Sequence, residues 1–154
     1  MPAASAASAG SASVGSAVGR LIAVVDTPEL AADATTALVA AGIEGGAIEA
    51  FAGPSGAAAF DVSGSRYGIL GRLYRILEFS WADQAPDFAW YAAAVREGRV
   101  VLSVRIRGQR RVAHVARIIE EHGGHFINHF GWFETQELAR WRGPEPDVPG
   151  FLHR

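Results

Sequence analysis

The chain has 154 residues, a mass of 16.3 kDa and a formal charge of −2, from 14 basic and 16 acidic residues. This length suits a single domain, and 49% hydrophobic with 19% charged residues is typical of a globular protein. Arginine supplies every basic side chain and cysteine is absent. The composition excludes a lysine Schiff base, a phosphate-loop lysine, a disulfide framework and a thiolate nucleophile. The negative net charge excludes a generally basic nucleic-acid binder.

Residues 1–19 consist almost entirely of alanine, serine and glycine. Such a segment buries too little apolar surface to offset the entropy of ordering it, so we predict a flexible tail. No basic residue precedes Arg20 and no leucine-rich stretch is present, which does not fit a signal peptide. There is also no run of ~20 apolar residues that could cross a bilayer. We therefore expect a cytoplasmic protein with no membrane contact.

The first predicted unit is β-α-β. The apolar run at residues 21–25 indicates a buried strand. Thr27 and Pro28 then mark a helix start, because a threonine hydroxyl can cap the helix and a proline at its first position loses no hydrogen bond. Gly42 offers a left-handed stop for this helix. A second strand is predicted over residues 46–51.

A loop rich in glycine, alanine, proline and serine leads into a predicted helical insertion at about residues 64–98. An apolar stripe indicates its first helix, and a second helix at about residues 86–97 ends at Gly98. The stripe consists of Ile69, Leu70, Leu73, Ile76 and Leu77.

A second β-α-β unit follows the insertion. Residues 100–107 alternate apolar and polar side chains, which indicates a strand with one face in the core. After a turn at Gly108, apolar residues recur at helical spacing until the Gly123-Gly124 pair. Residues 126–130, rich in aromatic and β-branched side chains, predict a fourth strand.

The last part of the chain is predicted to pack around the core rather than to extend the sheet. A short helix capped by Thr135 is expected to add Leu138 and Trp141 to the core. Residues 143–154 are spaced by prolines and glycines without a period, which predicts a C-terminal tail that lies over the surface or extends into solvent.

This order predicts one α+β domain at residues 20–142, of the ferredoxin-like split β-α-β kind. Right-handed crossovers place both connecting helices on one face of a four-stranded antiparallel sheet. The other face needs a cover, since an open apolar face of several hundred Å² is unusual on a monomer. The insertion helices or a second subunit can supply that cover. We expect a homo-oligomer, and a dimer above other forms.

Three segments resemble the bacterial general stress protein domain, and the first of them is the β-α-β unit at residues 21–51. Residues 90–104, WYAAAVREGRVVLSV, are similar to a YYxxxVRxGxVLVxV-like segment of that family, and residues 124–131, GHFINHFG, are similar to its last strand. The similarity extends over residues 20–132. It implies a small α+β stress protein without an assigned activity and carries over no catalytic residue. The insertion here has more aromatic residues than the family pattern.

Three histidines, His122, His125 and His129, fall in one short stretch. Imidazole is a common metal ligand, but tetrahedral sites need three or four converging ligands. His125 and His129 are expected on one face of a strand, about 13 Å apart at ~3.3 Å per residue. Hydrogen-bonded or solvated histidines are the alternative interpretation, and no cofactor is predicted. Asp26, directly after the first strand, is a further acid of interest, although it can equally begin the turn.

Four arginines, Arg105, Arg107, Arg110 and Arg111, form a basic stretch that continues to Arg117 without an acidic residue. Guanidinium groups bind oxyanions bidentately, so the stretch is a candidate anion site. The alternative is a solvated strand end and helix face. Ser103 and the arginines occupy the outward strand positions where RNA-binding sheets carry aromatics, so nucleic acid is not the expected partner.

Aromatic residues are the third candidate group. They could line a pocket for an apolar or planar ligand, although core or dimer packing is the more common use of large aromatics. The candidate pocket residues are Trp81, Phe88, Trp90, Tyr91, Phe130 and Trp132. No serine or carboxylate pair has catalytic spacing. The sequence therefore favours a non-enzymatic binding or scaffold protein, with a small-molecule or metal-dependent sensor or enzyme as the alternative and an anion-binding module as the third hypothesis.

Overall fold

The computed structural model describes residues 19–52, 66–68, 85–131 and 134–148, of which 66–68 and 85–88 are described by their backbone alone. A short 3-10 turn (Gly45–Ala47) precedes the second strand. The helices and strands in chain order are β1 (Arg20–Val25), α1 (Pro28–Ala40), β2 (Ile48–Phe51), β3 (Arg66–Gly68), α2 (Ala85–Arg96), β4 (Val100–Arg105), α3 (Arg110–Glu121), β5 (Gly124–Phe130) and β6 (Thr135–Ala139).

The described strands form one sheet in the order β3-β2-β4-β1-β5-β6. Strands β2, β4, β1, β5 and β6 pair antiparallel, whereas β3 pairs parallel to β2. In the centre of the sheet, β1 runs from Arg20 opposite Arg105 to Val25 opposite Val100. Sequence-distant strands therefore meet in the middle of the fold.

Helices α1 and α3 cover one side of the sheet, which we call the two-helix face. α1 begins as its sequence predicts: Thr27 Oγ1 accepts a hydrogen bond from the Leu30 amide at 3.2 Å, and Pro28 occupies the first turn. α3 buries residues at helical spacing and exposes its charged side. Together with the sheet they form one core that includes Leu21, Ala23, Val25, Leu38, Leu102, Val104, Val115 and Ile119.

Helix α2 covers the opposite side of the sheet, which we call the one-helix face. Its residues 90–95 are all buried, so the helix is covered on more than one side. It packs on a second core that includes Ile22, Val24, Phe51, Val101, Phe126 and Phe130. The insertion thus supplies a cover for this face, one of the two sources expected from the sequence.

The α+β class predicted from the sequence is confirmed, but the predicted number of four strands is wrong. β6 adds a fifth antiparallel strand, and the three-residue β3 lies within the segment predicted as helical. The second insertion helix is present as α2. The predicted N-terminal tail up to residue 18, the first insertion helix with its apolar stripe, and residues 149–154 lie outside the described residues.

The predicted helix after Thr135 is also wrong, because this segment is strand β6. The chain reverses tightly after β5, with the Gly131 amide donating to the Glu134 carbonyl at 2.9 Å. That reversal places residues 135–139 along the open edge of β5, where ladder hydrogen bonds outweigh a weak local helix preference. Leu138 and Trp141 still pack against the two cores as expected.

No helix in the described part of the chain is long and apolar enough to span a membrane.

Candidate functional site

The aromatic candidates that the structure describes form a packed cluster on the one-helix face. Trp90 stacks on Phe126 with ring centroids 5.4 Å apart, and Tyr91 lies 4.9 Å from Phe126 and 6.5 Å from Phe130. All four rings are buried. Their arrangement fits the core-packing interpretation. The side chains of Trp81, Phe88 and Trp132 lie outside the described residues.

An open cleft of about 380 Å³ lies beside this cluster. Its acidic and basic walls include Glu137 and Arg140, which form an exposed ion pair at 3.4 Å. The lining residues are Trp90, Phe126, Glu137, Arg140, Trp141 and Glu145. Of the three predicted pocket residues whose side chains the structure describes, Trp90 lines this cleft and Tyr91 and Phe130 do not.

The Tyr91 hydroxyl is a buried polar group inside the aromatic cluster. It lies 2.9 Å from the Ile22 carbonyl oxygen and 2.8 Å from that of Phe126, and it accepts a hydrogen bond from Asn128 Nδ2 at 2.8 Å. One hydroxyl proton serves both carbonyls. These contacts give buried polar groups of β1 and β5 a hydrogen-bond partner from α2. Tyr91 therefore joins α2 to β1 and β5 by hydrogen bonds.

The three histidines contact three different parts of the molecule. His122 ends α3, and its Nδ1–H donates to the Ile118 carbonyl at 2.7 Å. His125 is buried beside Asp26, whereas His129 is half-buried at a cleft near the start of α3. Within the described residues, no group of three or more histidine, aspartate or glutamate side chains is placed to hold a metal ion.

The expectation that His125 and His129 share a face is wrong, because β5 contains a bulge. His129 pairs with Leu21 of the two-helix face, and His125 pairs with Val24 of the one-helix face. Between them, Phe126 has a positive φ of 48° and the register with β1 shifts by one residue. An extra residue in a strand reverses the alternation of side chains beyond it.

Burial lowers the pKa of His129.

A polar cluster forms where the end of β1 meets the start of β5. The Nε2–H of His125 donates to Asp26 Oδ1 at 2.8 Å, and Arg99 Nε donates to the same oxygen at 3.3 Å. Arg99 also pairs with Glu97 at 2.9 Å and lies over the Trp141 ring, 5.3 Å from its centroid. Asp26 was noted as a sequence candidate. Its link to His125 and Arg99 was missed, because it depends on strand order rather than on spacing along the chain.

The second nitrogen of His125 is also engaged. The Arg142 amide donates to His125 Nδ1 at 3.0 Å, so the ring is neutral and carries its proton on Nε2. Burial lowers the pKa of His125, and the positive charges of Arg142 and Arg99 lower it further against the opposing effect of Asp26. With both nitrogens occupied, this histidine has no free lone pair for general-base catalysis.

The basic stretch lies at the opposite end of the sheet from this cluster. Arg105 ends β4 and is half-buried, while Arg107, Arg110 and Arg111 are exposed. Within the described residues, these three exposed arginines form no ion pair with an acidic side chain. The structure thus brings the four predicted arginines to one corner of the fold.

A cleft of about 460 Å³ lies at the same corner. Arg107 and Arg110 flank two of its lining residues in the chain, although they do not line it themselves. Gln109, which precedes α3, donates from Nε2 to Gln136 Oε1 of β6 at 3.0 Å. The lining residues are Gly19, Ile106, Gly108, Gln109, His129, Gly131, Glu134 and Gln136.

No protein-family model matches the chain, and neither a curated protein nor a solved structure matches it.

Proposed function

We propose that this chain is a non-enzymatic binding domain that takes a small oxyanion ligand, such as a phosphate-bearing molecule, at the corner formed by the end of β4 and the start of α3. The observation that carries the proposal is the exposed group of Arg107, Arg110 and Arg111, which has no acidic partner among the residues that the structure describes. Guanidinium groups match the oxygens of phosphate and carboxylate bidentately.

The position of two of these arginines strengthens the proposal. Arg110 and Arg111 occupy the first turn of α3, which contains no acidic residue and no side-chain cap from Gln109. The first turn carries the positive end of the helix dipole, where a cation is unfavourable by ~0.3–1 kcal/mol. A bound anion would relieve this repulsion at the start of the helix.

The adjoining cleft gives the ligand room beyond its charged group. Gln109, Gln136 and His129 line this cleft and offer polar groups. Glu134 also lines the cleft and disfavours a second negative charge on that side. The surroundings therefore fit a ligand with one anionic end directed at the arginines and a polar remainder.

A titration with inorganic pyrophosphate followed by amide NMR tests this proposal on the full chain at low ionic strength. We expect shifts concentrated at residues 107–112 and weaker binding as salt is added, because the contact is electrostatic. Arg110→Gln together with Arg111→Gln should abolish the shifts. Arg110→Gln alone should weaken the binding. Arg117→Gln removes the same single charge from an exposed position further along α3 and should retain most of the binding.

Two results would overturn the proposal: no localised shifts at millimolar pyrophosphate, or equal loss of binding in the Arg117→Gln control. A single-stranded oligonucleotide offered in the same assay should bind no more tightly than pyrophosphate. Tight oligonucleotide binding with a steep salt dependence would instead assign the arginines to a nucleic-acid interface.

We also propose a ferredoxin-like topology for the fold. The order β2-β4-β1-β5, with α1 and α3 on one face, is the arrangement that a split β-α-β domain requires. This order supports a ferredoxin-like topology extended by β3 and β6. Membership of the general stress protein domain family and a cytoplasmic location stay predictions from the sequence.

Homo-oligomerisation stays a prediction as well. The prediction depends on a sheet face that needs a cover, and α2 supplies part of that cover within the chain. A second subunit is therefore not required to cover the part of the face that lies under α2. Native mass spectrometry of the full chain tests it directly: a dimer mass supports the scaffold hypothesis, and a single-chain mass leaves the binding proposal standing without it.

A further inference from the structure

Residues 140–148, which we call the strap, fold back over the one-helix face after β6. The Arg142 guanidinium donates to the Gly124 carbonyl at 2.7 Å, and the Asp147 amide donates to Glu97 Oε2 at 2.7 Å. Val148 is buried in the second core. The strap is thus anchored at its beginning by β5 and at its end by the carboxyl end of α2.

Trp141 is the apolar anchor of the strap. Its ring meets Trp90 edge-on at 5.4 Å and Phe126 at 5.6 Å, and its Nε1–H donates to the Pro144 carbonyl at 3.0 Å. Aromatic pairs with this geometry contribute beyond their buried area. Displacement of Trp141 would expose the rings of Trp90 and Phe126 and would enlarge the cleft that they line.

His125 holds the strap in a way that depends on its protonation state. Its ring stands edge-on to Trp141 at 4.9 Å, and its unprotonated Nδ1 accepts the Arg142 amide at 3.0 Å. A second proton on the ring can only go to Nδ1, because Nε2 already carries one. Nδ1–H would then face the Arg142 N–H, donor against donor, and the hydrogen bond would be lost.

We propose that His125 is a pH-sensitive latch, which holds the strap closed when neutral and loosens it when a proton binds Nδ1. Protonation exchanges one contact for another: the bond to Arg142 is lost while the pair with Asp26 becomes an ion pair. The ring then stays attached to the β1 end through Asp26. The strap is loosened at the Arg142 amide, while the Arg142 guanidinium, Trp141 and the bond from the Phe126 amide to the Arg140 carbonyl still hold it. The latch is independent of the anion proposal, which concerns the opposite end of the sheet.

The charged groups around His125 determine where release occurs. Asp26, from the junction of β1 and α1, favours the protonated ring, while Arg142 of the strap and Arg99, from the turn before β4, oppose it. Glu97 at the end of α2 acts through its pair with Arg99. Burial is the largest effect and lowers the pKa of His125 below the ordinary value of 6.5. Release is therefore expected below neutrality.

Hydrogen exchange of the full chain, measured as a function of pH, tests the latch. Once corrected for the intrinsic pH dependence of exchange, protection of the Arg142 amide should fall as pH decreases below the ordinary histidine pKa of 6.5. The limit is about tenfold per pH unit for one proton. Amides in the centre of β4 should keep their protection, and tryptophan fluorescence should change over the same range as the strap loosens around Trp141.

Two variants separate a latch from a merely structural histidine. In His125→Asn the amide oxygen can still accept from the Arg142 amide but does not titrate, so strap protection should become independent of pH. In Asp26→Asn the negative charge that favours protonation is removed, so the pH of release should shift downward. His129→Asn is the matched control, because His129 lies on the opposite face and does not contact the strap; its release profile should equal that of the unmodified chain.

The latch is overturned if Arg142 protection stays constant while the His125 ring signals titrate by NMR. It is equally overturned if His125→Asn loses strap protection with the same pH profile as the unmodified chain. Should His125→Asn fail to fold, Asp26→Asn decides alone: an unshifted release profile contradicts the latch, and a downward shift supports it.

Discussion

The Tyr91 hydroxyl lies 2.8 Å from the carbonyl oxygen of Phe126, at the point where β5 bulges away from regular pairing with β1. Phe126 adopts a positive φ of 48°, a region that bulky residues rarely occupy. Its ring packs on Trp90 and Tyr91, so burial of the aromatic side chain offsets the backbone strain. The Tyr91 hydroxyl adds a hydrogen bond to the backbone at this bulge.

The bulge also determines what His125 can do. Without the extra residue, His125 would lie on the same face as His129, away from the strap. With it, His125 lies between Asp26 and the Arg142 amide. The aromatic cluster, the bulge and the latch are therefore connected: Tyr91 stabilises the bulged backbone, and the bulge places the His125 side chain on the one-helix face.

Tyr91→Phe is expected to destabilise the fold by ~1–3 kcal/mol, because two carbonyls and the Asn128 amide lose a buried partner. Urea unfolding followed by circular dichroism measures the change. Thr36→Val is the control, since it also removes one hydroxyl without changing the shape of the side chain, but at an exposed position where Thr36 bonds the Ala32 carbonyl. Its effect should stay within ~0.5 kcal/mol. Equal effects of the two substitutions would contradict the role of Tyr91.

Gly124→Ala is expected to destabilise the fold by ~1–3 kcal/mol through overpacking. A Cβ on Gly124 would overlap the Ile119 side chain and approach the Ile119 carbonyl oxygen to 2.8 Å. The second contact involves a backbone atom, so a change of side-chain rotamer cannot relieve it. Gly46→Ala is the matched control, because a Cβ there meets nothing within 4 Å. Thermal unfolding of both variants checks the prediction, and a Gly124→Ala protein as stable as the Gly46→Ala protein would show that α3 can shift freely from β5.

Thr27→Ala is expected to destabilise the fold by ~0.5–2 kcal/mol, because the α1 N-cap hydrogen bond to the Leu30 amide is lost. Thr36→Ala makes the same substitution in the middle of α1, where alanine is the better helix former. Chemical denaturation should show a loss for the first variant and little change or a gain for the second. A loss of equal size in both would mean that the cap contributes nothing specific.

The elements that the sequence predicts well are those with local signals. The Thr27-Pro28 start and the stop at Gly42 act within a few residues, and each corresponds to an observed feature. β4 is present as well, but its burial does not alternate as its sequence predicts, because Val101 and Ser103 on the second face are as buried as Leu102 on the first. β6 was missed because its sequence has no strand pattern of its own; it forms a strand only because the chain reverses beside the open edge of β5. The local preference was overridden by pairing.

The candidate site likewise has features that the sequence predicts and features that depend on long-range pairing. The arginine stretch is contiguous in the chain, so its clustering could be predicted from the sequence. The contact between Asp26 and His125 joins residues 99 positions apart and depends on the ends of β1 and β5 meeting in the sheet. The positive φ of Phe126 is a further requirement that no pattern in the sequence indicates. Long-range pairing and backbone irregularity are thus what sequence reasoning could not supply.

The free energy of unfolding should decrease as pH falls below the ordinary histidine value of 6.5. Burial lowers the pKa values of His125 and His129 in the folded chain, so the unfolded chain binds more protons in this range and is favoured by acid. The stabilisation is complete above 6.5 and is lost as pH decreases toward the lowered values. Urea unfolding between about pH 7.5 and about pH 5.5 measures the slope above the range in which carboxylates titrate. His125→Asn with His129→Asn should flatten the slope. A slope that persists in the double variant would assign the acid sensitivity to groups other than these two histidines.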